Sequence, residues 1–169
     1  SDEAQFNRTH PLSGDRISRL REVYERDAAW ETPTDPQLQA RFERVRAKLY
    51  GYLSEPVRTL KAYPATDTSI PARYARAYAY HKDARVQSAL DEVDGLLAIN
   101  PDNPYFLELR GQVLLESGRP SDALPDLRRA TDLSVSEPLI ASIFGHALIA
   151  TEDPANYGEA EAVLRAAVS

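Results

Sequence analysis

The chain has 169 residues, 43% apolar and 27% charged, with no cysteine and a net charge of −6. Disulfides, thiolate nucleophiles and cysteine-based zinc sites are therefore excluded, and the acidic balance argues against nucleic acid as a partner, because that role needs a basic footprint. No apolar run approaches the roughly 18 residues of a membrane span, so no membrane insertion by this segment is expected. The opening, "SDEAQFNRTH", is polar and has no apolar signal-peptide core, and it reads as the start of a piece cut from a longer protein. The charge is uneven: residues 1–61 carry 11 Lys+Arg against 10 Asp+Glu, whereas 62–169 carry 9 against 16. That split is a first sign of two regions.

In chain order, residues 1–12 read as a linker containing His10. A first helix is expected over about 14–29, with Ser13 or Asp15 near its N-cap and Ile17, Leu20, Val23, Tyr24 and Ala28 on one face. Asp35-Pro36 is a capping residue followed by proline at the first helical position. The second helix then carries Leu38, Phe42, Val45, Leu49 and Tyr52 or Leu53 at three- and four-residue steps, close to a heptad seam. The two stripes predict a helical hairpin. Arg41, Arg44, Arg46 and Lys48 fall off the seam, as a solvated face or as a contact with an acidic partner or another domain. A short helix near 56–63 ends at Pro64 and completes a 13–64 region, and "PATDTSI", 64–70, reads as a linker or turn.

From residue 70 the sequence repeats. Ala77, Gly111 and Gly145 stand 34 residues apart, as do Ala89 and Ala123, and Pro104 and Pro138. A 34-residue period is the signature of the helix–turn–helix tetratricopeptide repeat, in which small residues let two helices cross closely and each pair covers its neighbour's apolar face. Three units are expected, at about 70–103, 104–137 and 138–169, in an all-α right-handed superhelix. The expected close crossings are Ala77 with Ala89 and Gly111 with Ala123. Three extra residues fall in the third turn, "TEDPANYG". Arg110 occupies a place that is usually apolar. Pro125, inside the second helix of its unit, predicts a kink or a late start.

No complete catalytic motif is present. His10, His81 and His146 are the only histidines and none are four apart, so HExxH is absent, as are GxSxG, Walker A and GxGxxG sequences. "DEVDG" at 91–95 lies on a helix and lacks the spaced oxygens of a calcium loop. This chain is therefore expected not to be an enzyme. The default site is the groove lined by the first helix of each pair. Its candidate residues are Tyr74, Tyr78, His81, Lys82, Tyr105, Glu108, Gln112, Leu115, Glu116, Ser142, His146 and Ile149. Aromatics among polar neighbours suit a peptide or helix from a protein partner; the alternative is that several of these tyrosines pack between helices. Family members that grip a C-terminal carboxylate place Lys and Asn where Tyr74 and Tyr78 stand here, which argues against that ligand.

The order of "RTHPLSGDRISRL", "RFERVRAKLYGYL", "ARYARAYAY" and "NPYFLELRGQVLLESGRPSDAL" resembles the C-terminal half of bacterial HExxH zinc metalloproteases similar to the CaaX prenyl protease and the periplasmic protease-chaperones. The resemblance implies a catalytic domain upstream that holds the zinc, with no cofactor in this chain itself. It also implies a periplasmic or membrane-associated protein whose repeats dock substrate or assembly partners and touch their own catalytic domain. His10, in the Thr-His-Pro segment leaving that domain, would be a latch on the zinc's open position; otherwise it serves the entry to the first helix. The other reading of the whole chain is a free-standing tetratricopeptide adaptor or co-chaperone.

Overall fold

The structure is a computed structural model that describes residues 13–135 and 137–168. Its nine α-helices, among the described residues, are α1 (Ser13–Tyr24), α2 (Pro36–Leu53), α3 (Pro56–Ala62), α4 (Ile70–Lys82), α5 (Val86–Ile99), α6 (Pro104–Glu116), α7 (Pro120–Leu133), α8 (Pro138–Ala150) and α9 (Tyr157–Ala167). Two 3-10 turns, Ala28–Glu31 and Pro154–Asn156, complete the order. The chain divides into two compact units, one ending at Gln39 and the other starting at Ala40.

In the first unit, α1 is shorter than its apolar periodicity suggests: it stops at Tyr24, and Ala28 lies in the 3-10 turn. Ile17, Leu20, Val23 and Tyr24 are exposed.

In the second unit, α4 packs on α5, α6 on α7 and α8 on α9. Each pair also leans on the next, through α5 with α6, α7 with α8, and α6 with α8. Local chemistry sets the helix starts. Pro56, Pro104, Pro120 and Pro138 each open a helix, where the missing N–H costs nothing. The Ser69 hydroxyl accepts from the Ala72 N–H at the head of α4, and Asn103 Oδ1 accepts from the Tyr105 N–H at the head of α6. The core is a single run through the three pairs that includes Tyr74, Val93, Leu96, Phe106, Leu109, Leu127, Phe144 and Leu148.

Small residues mark close crossings at Gly111 and Gly145, where the nearest side chain is a leucine of the paired helix. A Cβ on Gly111 would lie 2.4 Å from Leu127 Cγ, and one on Gly145 would lie 2.5 Å from Leu164 Cγ. The glycines make room for a leucine on the second helix of each pair; Ala89 and Ala123 are fully buried as well. The offset from Leu127 to Leu164 is 37, because the third turn holds three more residues, folded as the Pro154–Asn156 turn. Helix α7 runs continuously through Pro125 from Pro120, so it does not start late; the proline ring is exposed. Residues 64–67 are pinned rather than loose. The buried Arg76 guanidinium donates from Nη1 to the carbonyls of Pro64 (2.8 Å) and Asp67 (2.7 Å) and grips Glu92 through Nε (2.7 Å) and Nη2 (2.9 Å).

The C-terminal half of α2 lies on this array with an unexpected face. Phe42, Val45, Leu49 and Leu53, the residues of the predicted seam, are exposed, while Ala47 and Gly51 are buried. A Cβ on Gly51 would lie 2.5 Å from the Ala75 carbonyl oxygen and 2.9 Å from its Cα, so α2 meets α4 backbone to backbone. The physical reason is shape: only the small-residue face of α2 allows that approach.

Candidate functional site

Helices α4 and α6 present one continuous face, and the 34-residue register brings their candidate residues together there. Tyr74 and Tyr78, one turn apart on α4, are buried, with ring centroids 5.5 Å apart; Tyr74 also meets Phe106 edge-on at 5.2 Å. Glu108 on α6 is buried beside them, and Tyr105, one turn earlier on the same helix, is partly exposed. The Tyr105 hydroxyl donates to Glu137 at 3.1 Å, which fixes the ring at the rim.

The centre of this face is filled by Lys48 of α2. Its ammonium lies 3.9 Å from Glu108 Oε2, 5.9 Å from the Tyr78 ring centroid and 5.8 Å from that of Tyr105. A cation between two ring faces and a carboxylate is favoured by charge and by both ring quadrupoles. Lys48, expected either on a solvated face or in an acidic contact, is partly buried and paired with Glu108. Burial holds the Glu108 carboxyl above the usual carboxylate range; Lys48 pulls it back down, and the neighbouring Glu137 pushes it up. Burial also raises the Tyr74 and Tyr78 phenols well above their ordinary values. The Tyr74 hydroxyl is buried with that of Tyr78 as its polar neighbour, and the charges of Glu108 and Arg44 bear on it.

One helical turn further along, Tyr78, His81, Lys82, Gln112 and Glu116 line a cavity of about 360 Å³ together with Tyr52 of α2. Tyr52 stands edge-on to Tyr78, with ring centroids 6.1 Å apart. His81 Nε2 and Glu116 Oε2 are 2.9 Å apart across the α4–α6 boundary, and the Gln112 amide donates to Glu116 at 2.8 Å. The Lys82 ammonium donates to the carbonyls of Tyr52 (3.0 Å) and Ser54 (2.8 Å), the C-terminal end of α2. A cation there meets orphan carbonyls and the negative end of the helix dipole. Lys82 therefore holds α2.

The remaining candidates sit apart from this cluster. Leu115 is packed against the core, Ser142 is partly buried on α8, and His146 and Ile149 are exposed further along that helix. His10 lies outside the described residues. Sequence reasoning placed Tyr52 on the apolar seam of α2 rather than in the groove, and it gave Lys48 an acidic contact as one of its readings without naming Glu108; the pattern along α2 does not say which helices that face meets. A second cavity, of about 620 Å³, lies between α7, α8 and α9, lined mainly by small apolar residues such as Ala141, Ala162, Val163 and Ala166.

Among the described residues no three His, Asp or Glu side chains converge as a metal site, and no helix is long and apolar enough to cross a membrane. No protein-family model matches the chain, and no curated protein matches it with significant similarity.

Proposed function

We propose that this chain is a protein-recognition domain, a right-handed array of three tetratricopeptide-type units whose inner face, led by α4, α6 and α8, takes a helix or peptide from a partner protein. One observation carries this reading: the α4–α6 face gathers tyrosines and acids around a helix, α2, that already lies across it. Aromatic anchors at the centre of a contact and a polar rim are the composition of a recognition surface. The 34-residue register supports the repeat type. A photo-crosslinking residue placed at Gln112 or His146 in the native protein should give discrete adducts with a partner, and one placed at the exposed Arg129 should not. Equal labelling at all three positions would refute a groove-specific partner.

The larger setting we propose is the non-catalytic tail of a periplasmic or membrane-associated zinc metalloprotease, in which the repeats dock substrate or assembly partners and restrain the catalytic domain. The Thr9-His10-Pro11 segment and the order of the helical motifs support it. Chelator-sensitive peptidase activity in the native protein, absent from residues 1–169 alone, is the expected result; turnover by residues 1–169 alone would overturn it. In that setting His10 is the latch on zinc, and His10→Ala should raise basal proteolysis; an unchanged rate would remove the latch.

A further inference from the structure

The contacts of Lys48 identify the kind of partner the face takes. We propose that Tyr78, Tyr105 and Glu108 form a lysine-reading cage for a basic helix, and that α2 occupies it in cis as a displaceable stand-in. This rests on the recognition reading above and specifies its ligand.

Three observations converge. First, the cage suits a primary ammonium: a buried carboxylate at 3.9 Å and two phenol rings within 6 Å of one nitrogen. A neutral side chain there would leave Glu108 buried beside Glu137 with no positive charge from the helix to offset it. Second, the rings of the cage are positioned by the array itself: Tyr78 packs on Tyr74 with ring centroids 5.5 Å apart, and the Tyr105 hydroxyl donates to Glu137 at 3.1 Å. Third, α2 is held by little apolar area. Its buried face is Ala47 and Gly51, whereas Phe42, Val45, Leu49 and Leu53 on the same helix are exposed. Docked by its small face, by Lys48, by Tyr52 against Tyr78 and by the Lys82 hydrogen bonds at its C-terminal end, with its large apolar face outward, α2 is seated by shape and polar contacts more than by burial. A competing helix needs the same small elements: a lysine, a small residue just before it and a glycine or alanine one turn after, as in Ala47-Lys48-x-x-Gly51.

The test uses the full chain and two labelled peptides, one with the sequence of residues 36–53 and one identical except for glutamine in place of the lysine. Gly51→Leu in the chain drives a side chain into the Ala75 backbone and should expel α2. The lysine peptide should bind this variant at least about tenfold more tightly than it binds the unaltered chain, and about tenfold more tightly than the glutamine peptide binds the variant. Equal affinity of the two peptides would overturn the cage, and equal affinity of the two chains would overturn displacement. If Gly51→Leu loses its cooperative melting transition, Lys48→Gln in the chain decides, since it empties the cage with no steric change; failure of the lysine peptide to bind it more tightly than the unaltered chain overturns the proposal. These outcomes do not depend on the crosslinking result at Gln112 and His146, so failure of the cage and failure of the recognition reading are separable.

Discussion

Arg76 and Arg110 stand at equivalent places in the first two units, and each makes a two-pronged ion pair with the second helix of its own pair. Arg110 holds Asp126 through Nε and Nη2, both at 2.6 Å, and adds Asp94 at 2.9 Å. Those hydrogen bonds keep the Arg110 guanidinium far above its ordinary pKa. The residue that looked out of place in the repeat pattern is therefore paired. In the third unit the same two places hold Phe144 and Val163, an apolar solution to the same contact. Arg128 of the preceding pair lies over the Phe144 ring at 5.4 Å. Arg76 is the more consequential arginine, because it is almost fully buried and also ties down Pro64 and Asp67. Arg76→Met leaves Glu92 with Arg73 alone, at 3.2 Å, removes the Arg76 hydrogen bond to the Asp67 carbonyl, and leaves the Pro64 carbonyl with the Asp67 N–H only. The expected loss is about 3 kcal/mol in urea unfolding, the range for breaking a buried ion pair. Arg76→Phe with Glu92→Val copies the third unit and should recover much of it. A loss under about 0.5 kcal/mol for Arg76→Met would show that the pair carries no stability.

At the scale of the element, the turn between the helices of each pair repeats as faithfully as the helices do. Ala84, Gly118 and Glu152 are 34 residues apart, and all have positive φ, at 55°, 80° and 55°. In the first two turns the following N–H reaches back over the end of the helix: Arg85 donates to the Tyr80 carbonyl and Arg119 to the Leu114 carbonyl, each at 2.9 Å. This is the Schellman ending, and it asks for glycine at the left-handed residue. Only the second unit has one. Ala84→Gly should raise stability by about 1 kcal/mol, as relief of the left-handed strain outweighs the entropy glycine adds to the unfolded chain. Thermal melts of the variant and the unaltered chain would measure it, and a lower Tm would contradict the strain argument. The same turns show what the sequence makes legible. Asp35-Pro36 at the start of α2 and the small residues that recur every 34 positions at the crossings act within a few residues or at one fixed period, so pattern alone finds them; Gly118 is of the residue type that its left-handed conformation favours. Ala84 and Glu152 take the same conformation without the residue type that announces it. The ion pair of Arg76 with Glu92 is hidden for a related reason: arginine and glutamate on a helix read as solvent-facing. The face made by Tyr74, Tyr78, Tyr105 and Glu108 follows from the register of two helices. Its contact with Lys48 depends on which side of α2 fits against Ala75, and the apolar period of α2 points the other way.

Across the whole array, the seating of α2 couples a surface lysine to the ionisation of a buried acid, and pH makes that coupling measurable. Burial raises the folded-state pKa of Glu108 above its unfolded value of 4.5, while Lys48 lowers it. A carboxyl with a raised folded pKa binds more protons when folded than when unfolded, at any pH between the two values. Its contribution to stability is therefore fully present below about 4.5 and declines as pH rises through that window. Lys48→Met keeps the length of the side chain and removes the charge, so the folded pKa moves further up and the window extends to higher pH. Between pH 4.5 and 7 the variant should lose more stability than the unaltered chain does, and the excess should grow with pH across that window. Groups remote from the cage titrate alike in both chains and drop out of the difference. Glu108→Gln placed on top of Lys48→Met should abolish the extra slope, because no proton remains to be bound. Parallel stability curves for Lys48→Met and the unaltered chain would mean that the Lys48 ammonium does not act on Glu108, and that α2 is held on the array by Gly51 and Lys82 without it.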